Sequence, residues 1–427
     1  VTDQAFKNYT IDREVGKGGM ATIYLAQDQR TGRPVALKFL LPHIATNENF
    51  VRLFMEEFKA NEFLKHQNIV EAIEAGQHDG RWYMAMEYLD GGSLKELLRD
   101  RGRFPIDLAV HVIMNVLKGL QYSHHCGVVH QDMKPANLMV QKDGAVKIAD
   151  FGISKVASPA LWKATGRIRG TPAYMAPEQA AGKEPTYRWD IFSSGVVFYE
   201  LLAGFNPFGA KDPQEALKKI LGENPPALLR AAPTMPHDLE LVVWRMLEKD
   251  PDKRYPNIES ILGDLQRVTQ KLQLAYSQAL FRDWLLDADR VGHQIVAQRH
   301  RFHLETARRL LQQGRSMADL ALWHVYLAAL CLPQDGETRA YLQHVAREHG
   351  FSLQRSNSMG LQSAEAKLTE NPDDVKLQLQ LARLHRADGN VLQTFYFGRL
   401  ALSSAPLDPS VRQQVDKALG PGKIDYL

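Results

Sequence analysis

The sequence predicts an α+β chain of two lobes, the first β-rich and the second α-rich, followed by an all-α tail of helical-repeat character. Three observations carry this reading. Short strand-like runs broken by Gly and Asp occupy residues 9 to 98, the texture turns helical from Leu94, and after Leu272 no run reads as a strand. The length of 427 residues corresponds to between two and three domains at about 150 residues each.

In the first lobe the strand candidates are Ile11 to Val15, Ile23 to Gln27, Val35 to Leu40, Ala72 to Gly76 and Trp82 to Tyr88. One helical run interrupts them, Asn49 to Lys65, with Phe50, Leu53, Phe54, Phe58 and Leu64 mostly three or four apart. The second lobe carries apolar helical runs such as Ala109 to Leu120 and Gly195 to Leu202. It keeps two short strand candidates, Leu138 to Gln141 and Val146 to Ile148, around an Asp143-Gly144 turn. In the tail, Gly314, Gly350 and Gly389 and likewise Pro333, Pro372 and Pro406 recur at intervals that bracket the period of helical hairpin repeats. The best copy runs from Val375 to Pro406, with Ala382, Gly389 and Ala401 at small or turn positions, and resembles a tetratricopeptide repeat. Thr394 and Gly398 depart from that family, which there has alanine and a large aromatic residue. A non-repeating helical bundle is the alternative.

Composition narrows the function classes. Apolar residues at 44% and charged residues at 24% exclude a disordered or fibrous chain. The charge balance, 52 Lys and Arg against 49 Asp and Glu, gives a net +3, too small for a dedicated nucleic-acid or membrane-surface binder. Cys126 and Cys331 offer no disulfide framework, no run approaches a membrane span, and Val1 to Thr10 shows no signal pattern, so a soluble, cytoplasmic protein is expected. Arg299, Arg301, Arg308 and Arg309, with His300 and His303, read as a solvated helix face.

The chemistry lies in six ordered segments. Gly16-Lys17-Gly18-Gly19-Met20-Ala21, between two strand candidates, would let backbone N–H groups approach phosphate oxygens. Alone it could equally be a hairpin turn, and no G-x-x-x-x-G-K-[ST] segment is present. Lys38 follows in the apolar strand Val35-Ala36-Leu37-Lys38, with Glu57 on the next helix. Then come His130-Gln131-Asp132-Met133-Lys134-Pro135-Ala136-Asn137, Asp150-Phe151-Gly152, Gly170 to Glu178, and Asp190. Phosphoryl transfer needs a carboxylate at the attacking hydroxyl, oxygen ligands for magnesium and cations on the transferred group. Asp132, then Asn137 with Asp150, then Lys134 supply these in order.

These segments together resemble the eukaryotic-like (Hanks-type) serine/threonine protein kinases widespread in bacteria, over roughly residues 9 to 270. The resemblance implies a bilobal protein-kinase fold, ATP and Mg2+ as cofactors and protein substrates. It implies an extension at 1–8, a kinase domain at 9–270 with its N-lobe at 9–89 and C-lobe at 90–270, a helical linker at 271–310 and a tetratricopeptide-like domain at 311–427. Gly16, Lys17, Gly18 and Gly19 would cover the phosphates, and Lys38 would pair with Glu57. Ile23, Ala36 and Met139 would sandwich adenine, Met86 would border its pocket, Glu87 and Leu89 would bond its edge, and Ser93 would lie near the ribose. Asp132 would act on the hydroxyl proton, with Lys134 on the transferred group and Asn137 and Asp150 on the metal. Thr171 with Lys134 implies Ser/Thr rather than Tyr acceptors, and Glu178 with Arg254 a buried pair. The group His124, His125, Cys126 and His130 is then a helix end and a catalytic loop rather than a metal site.

Three departures stand out. Ala21 replaces a third glycine. Asn61 occupies an apolar spine position, unless Glu56 rather than Glu57 is the partner of Lys38; spacing favours Glu57. Gln131 replaces an arginine that would read a phosphate on the activation segment, so activity is expected to depend little on phosphorylation at Ser158 or Thr165. The tail would recruit partners or regulate the lobes, the alternative being an ATP-binding scaffold acting through that tail.

Overall fold

Six strands between residues 4 and 87 form one antiparallel sheet. Its strands are β1 Gln4–Phe6, β2 Tyr9–Lys17, β3 Ala21–Asp28, β4 Pro34–Leu40, β5 Ala72–His78 and β6 Arg81–Glu87, in the order β1-β2-β3-β4-β6-β5. The structure, a computed structural model, describes residues 4–151, 172–354 and 358–427. Strand β4 is central and covered on both faces. Val35, Leu37 and Phe39 join Phe6, Tyr9 and Tyr83 on one side, while Leu40 meets Ile44, Phe54 and Phe58 on the other. Those last residues come from helices α1 Pro42–Ala45 and α2 Glu48–Glu62, the second capped by the Asn47 side chain. The two-residue period of the strand therefore turns Lys38, like Leu40, toward α2. Residues 4–6, expected outside the fold, pair with Thr10 and its neighbours in β2 because Phe6 packs edge-on to Phe39 at 4.8 Å between ring centroids.

The second lobe contains α3 Leu94–Arg101, α4 Ile106–His125, the hairpin β7 Leu138–Val140 and β8 Val146–Ile148, α5 Pro177–Ala180, α6 Tyr187–Ala203, α7 Pro213–Gly222, α8 Leu228–Ala231, α9 His237–Met246 and α10 Ile258–Leu272. Helix α6 is apolar nearly all round and α4 is buried along most of its length, so they form the centre of the lobe. The first helix past it, α11 Gln278–Leu286, continues that core: Phe281 and Trp284 are buried in it, and Phe104 lies 4.7 Å from the Trp284 ring. The stretch expected to be a linker is thus seated on the lobe.

The β7–β8 turn explains the seating. Gly144 has φ +87°, and a Cβ there would lie 2.5 Å from the Gln278 carbonyl oxygen and 2.8 Å from the Arg282 nitrogen. Gly144→Ala would combine that clash with a left-handed backbone costing about 1–2 kcal/mol. It is expected to speed amide exchange across residues 278–286; unchanged exchange there would show that the turn does not hold α11.

The tail comprises α12 Ala288–Gln312, α13 Ala318–Cys331, α14 Gly336–His349, α15 Met359–Glu370, α16 Val375–Ala387, α17 Val391–Ser404 and α18 Pro409–Leu419. Helices α12 with α13 and α16 with α17 form hairpins, whereas α15 packs on α16 rather than on α14. Gly314, Gly350 and Gly389 each follow a helix with positive φ, and Pro333, Pro372 and Pro406 each lie two residues beyond a helix end. Two residues after each of those prolines an aspartate, Asp335, Asp374 or Asp408, caps the next helix through its side chain. The departures from the repeat pattern have packing reasons. Gly398 faces Leu419 and Val415, each 3.4 Å from where a Cβ would sit, so α18 occupies the space of a large ring. Buried Thr394 satisfies its hydroxyl on the Asn390 carbonyl at 2.8 Å.

Lobe and tail share a core. Ala227 and Leu229 of the lobe are buried with Leu361, Leu381, Phe397 and Leu400 of the tail. Beside them Arg399, 1% exposed, donates to Glu240 Oε2 at 3.2 Å and to the Met235 carbonyl at 2.7 Å, and its Nη1 meets His237 Nδ1 at 3.0 Å. Ser403 Oγ also donates to Glu240 and accepts from the Leu229 N–H. Burial works against the Glu240 charge, but His237 and Arg399 hold its carboxyl below the ordinary value. Among the described residues no helix is long and apolar enough to cross a membrane, and both cysteines are free thiols.

Candidate active site

A crevice of 380 Å³ separates the sheet from the second lobe. Its walls include Gly16, Ile23, Ala36, Met86, Glu87, Leu89, Ser93, Met139 and Asp150 of the expected nucleotide and metal residues. Lys17 ends β2 opposite Thr22, and Gly18 and Gly19 form the exposed turn to β3, closed by a Gly18 N–H to Ala21 carbonyl bond of 2.8 Å; none of the three lines the crevice. Sequence reasoning missed Val15, Val70, Tyr88 and Ala149, which add apolar wall. Val70 is placed by a pairing that no local pattern signals: its N–H donates to the Ile148 carbonyl at 2.9 Å across the lobes.

At the polar end Lys38 Nζ donates to Glu57 Oε1 at 2.7 Å and to Asp150 Oδ1 at 2.9 Å. Glu56 instead lies on the outer face of α2, its side chain 44% exposed and 4.0 Å from Arg52, so Glu57 is the partner. Asn61 is buried one turn along, its amide donating to the Glu57 carbonyl at 3.1 Å; a polar residue is satisfied there inside its own helix. Burial opposes charge on Lys38, yet Asp150 and Glu57 hold its pKa above the ordinary value. Burial likewise opposes ionisation of Asp150, and Lys38 outweighs it, leaving that carboxyl below the usual range. For Glu57 burial wins over the pull of Lys38, and its carboxyl is pushed up to about 7.

The loop after α4 builds the second half of the site around Asp190. Its Oδ2 accepts from the His130 N–H and meets His124 Nε2, both at 2.8 Å, and its Oδ1 accepts from the Gln131 N–H at 2.8 Å. Gln131 (φ 69°) and Asp150 (φ 59°) both hold left-handed backbones, a cost tolerated where the surroundings fix the geometry. His130 is fully buried, with Nε2 3.0 Å from the Ala149 carbonyl and its ring against Phe151. Asp132 Oδ2 accepts from Lys134 Nζ at 2.6 Å and from the Asn137 amide at 3.2 Å. The Ala149 N–H donates to the Asn137 carbonyl at 2.9 Å, tying Asp132 and Asn137 to the strand end that carries Asp150. Residues 38, 57 and 150 thus form one bonded set and residues 132, 134 and 137 another, joined through the Ala149 backbone next to Asp150. His124 and His130 serve this scaffold, and among the described residues no group of three or more His, Cys, Asp or Glu could hold a metal.

Beyond the loop, Arg254 donates to both Glu178 oxygens at 2.6 and 2.7 Å, each residue being buried. Gly152, Ser158, Thr165, Gly170 and Thr171 lie outside the described residues.

The protein kinase domain profile matches residues 9–264. The chain belongs to the protein kinase family. A probable serine/threonine-protein kinase of Clostridium perfringens is 33% identical to this kinase-family chain over 277 residues, 64% of this chain and 40% of the relative. PrkC, a serine/threonine-protein kinase of Bacillus subtilis, is 33% identical over 60% of this chain and 40% of its own length. MasK of Myxococcus xanthus, named a tyrosine-protein kinase, is 36% identical over 62% of this chain and 43% of its own length. The chain thus spans about two fifths of the length of these relatives. The solved kinase domain of Mycobacterium tuberculosis PknI aligns with a TM-score of 0.52 and 27% identity, covering 63% of this chain and 99% of that domain.

Proposed function

We propose that this chain transfers the γ-phosphoryl group of ATP to Ser or Thr hydroxyls of protein substrates. The observation that carries the reading is the pair of bonded groups, Lys38 with Glu57 and Asp150, and Asp132 with Lys134 and Asn137, tied together by the Ala149 backbone beside the crevice that Asp150 lines. Lys134 and the Asn137 amide bond one oxygen of Asp132, Oδ2, leaving Oδ1 to accept the proton of the attacking hydroxyl as the new O–P bond forms and ADP departs. Lys38, fixed by Glu57, holds a phosphate oxygen with its remaining N–H. Asp150, with Asn137 held one backbone bond away through Ala149, would hold magnesium, which binds through one or two carboxylates with substrate phosphates completing its shell. When bound, the ion neutralises charge on the phosphates.

The test is transfer of labelled phosphate from ATP to the chain and to a generic basic protein, followed by phosphoamino-acid analysis. Phosphoserine and phosphothreonine are expected. Phosphotyrosine alone would overturn the acceptor class, and nucleotide binding without transfer would leave a scaffold acting through its tail. The names of PrkC and the Clostridium relative support Ser/Thr acceptors, as does Lys134 two residues after Asp132.

Activity depends little on phosphorylation of the segment outside the described residues. Gln131 offers no cation, and its backbone is held by Asp190 and by Gln179, whose amide donates to the Gln131 carbonyl at 3.0 Å. Thr165→Ala is therefore expected to keep most of the wild-type turnover in a steady-state assay. Loss with Ala and restoration with Glu would contradict this reading.

A pH effect follows from Glu57. As pH falls through about 7, Glu57 takes up a proton and stops holding Lys38 in place. The acid limb of kcat/KM is expected at higher pH in the wild type than in Glu57→Gln, whose activity is low throughout; the titration of ATP itself is common to both. Coincident limbs would remove the assignment.

The kinase unit at about 9–270, the helical stretch 271–310 and a tetratricopeptide-like region 311–427 remain our reading of the domains, the hairpin α16–α17 being the support for the last of them. The tail recruits protein partners or regulates the lobes.

A further inference from the structure

The floor of the crevice is one bonded unit. Strand β7 places Met139 in the crevice wall and is stitched to the segment that leads into α3. The Gly91 N–H donates to the Val140 carbonyl at 3.0 Å, the Val140 N–H donates to the Gly92 carbonyl at 2.8 Å, and Ser93 bridges Met139. Away from that patch β7 runs out to the Asp143-Gly144 turn, and α3 runs out to Arg101. Both far ends meet α11, although none of residues 278–286 lines the crevice.

At the first end the bare Gly144 backbone admits α11 so closely that a Cβ would touch the Gln278 carbonyl, and Gln278 Nε2 donates to the Asp143 carbonyl at 3.3 Å. At the second, Arg101 Nη2 donates to the Leu285 carbonyl at 3.0 Å, an acceptor in the last turn of α11 that no bond within the helix can satisfy. The Arg101 guanidinium also lies 5.4 Å from the centroid of the Trp284 ring. Between the two ends Phe281 and Trp284 are buried, with ring centroids 5.5 Å from His111 and 4.7 Å from Phe104 respectively. The apolar face alone would seat α11 on the lobe; the two polar contacts make it span the elements that carry the crevice floor. Asp287 ends α11 and caps α12 by accepting from the Arg290 N–H at 3.0 Å, so a single residue joins this span to the first helix of the tail.

We propose that α11 braces the nucleotide floor, with Gln278 and Trp284 as positioning residues that act through β7 and α3 on Met139 and Ser93, a role that rests on the kinase reading. A floor held in its binding shape for only part of the time lowers the apparent affinity by that fraction. The coupling is reciprocal, so nucleotide in the crevice must in turn hold α11 down.

The test uses the full chain and a fluorescent ADP analogue without magnesium, so that Asp150 and Asn137 do not act through a metal. In the wild type, saturating analogue is expected to slow amide exchange at residues 278–286 by about fivefold or more, the lower end of coupling between sites. Trp284→Ala is expected to weaken the analogue by about tenfold, as for a floor in its binding shape roughly a tenth of the time. Trp284→Phe keeps a ring beside Arg101 and Phe104 and should restore most of that affinity. Val415→Ala, a buried change in α18 outside the brace, should lower the melting temperature and leave the affinity unaltered. A wild-type protein that binds no analogue overturns the kinase reading and the brace together. Binding with unchanged exchange at residues 278–286 overturns the brace alone, and this measurement decides the matter even if Trp284→Ala does not fold. A folded Trp284→Ala protein of wild-type affinity, or a Val415→Ala protein weakened as much, overturns it equally.

Discussion

Replacing Asp132 by Asn is expected to leave nucleotide affinity unchanged while lowering turnover by about 10²–10⁴-fold, the usual worth of a positioned general base. The asparagine side chain fills the same volume, and Lys134 and Asn137, which bond Asp132 Oδ2, keep an oxygen to hold. What disappears is the oxygen proposed to take the hydroxyl proton. Asp150→Ala should behave differently: magnesium-dependent nucleotide binding and turnover fall together, because Asp150 also neutralises Lys38 at 2.9 Å. Equilibrium binding of a fluorescent ATP analogue with and without magnesium, beside initial rates, separates the two variants. An Asp132→Asn protein with wild-type turnover would remove the assignment of the base.

The second large effect concerns stability. Arg399→Met is expected to cost about 3–5 kcal/mol, since it leaves the Glu240 carboxylate buried without its cation. Glu240 is fully buried and Arg399 nearly so, and neither can turn to water. Adding Glu240→Leu to Arg399→Met should recover most of the loss, because the double variant buries no lone charge and both new side chains suit the surrounding apolar core. Guanidinium unfolding followed by tryptophan fluorescence measures all three proteins. A double variant no more stable than Arg399→Met would show that the pair contributes attraction beyond cancelling its own desolvation.

Most of the site was legible because its parts lie at fixed offsets within single elements. Lys38 alternates with Leu37 and Phe39 on one strand, and strand period alone turns it toward the helix bearing Glu57. Asp132, Lys134 and Asn137 sit within six residues of one loop. What escaped notice depends on contacts between distant segments. Val70 reaches the crevice wall through Ile148, and Phe6 joins the sheet because Phe39 offers it an edge-on face. The placement of residues 278–286 on the second lobe rests on the absence of a side chain at Gly144, which a turn motif does not distinguish from ordinary turn chemistry. One local signal was present and unread: proline followed two residues later by aspartate at 333, 372 and 406, a helix stop joined to the next helix cap. Gly398 and Thr394 broke the repeat pattern because α18 and the Asn390 carbonyl fill the positions that the pattern reserves for other residues.

The shared core around Leu229 also sets an order of events at the ribosome. Synthesis proceeds from the amino end at about 5–20 residues per second, so Ala227 and Leu229 emerge on the order of ten to thirty seconds before Phe397 and Leu400 that roof them. During that interval the nascent kinase lobe carries an open greasy seat and an uncompensated Glu240. That intermediate, more than the finished molecule, exposes apolar surface through which chains associate wrongly.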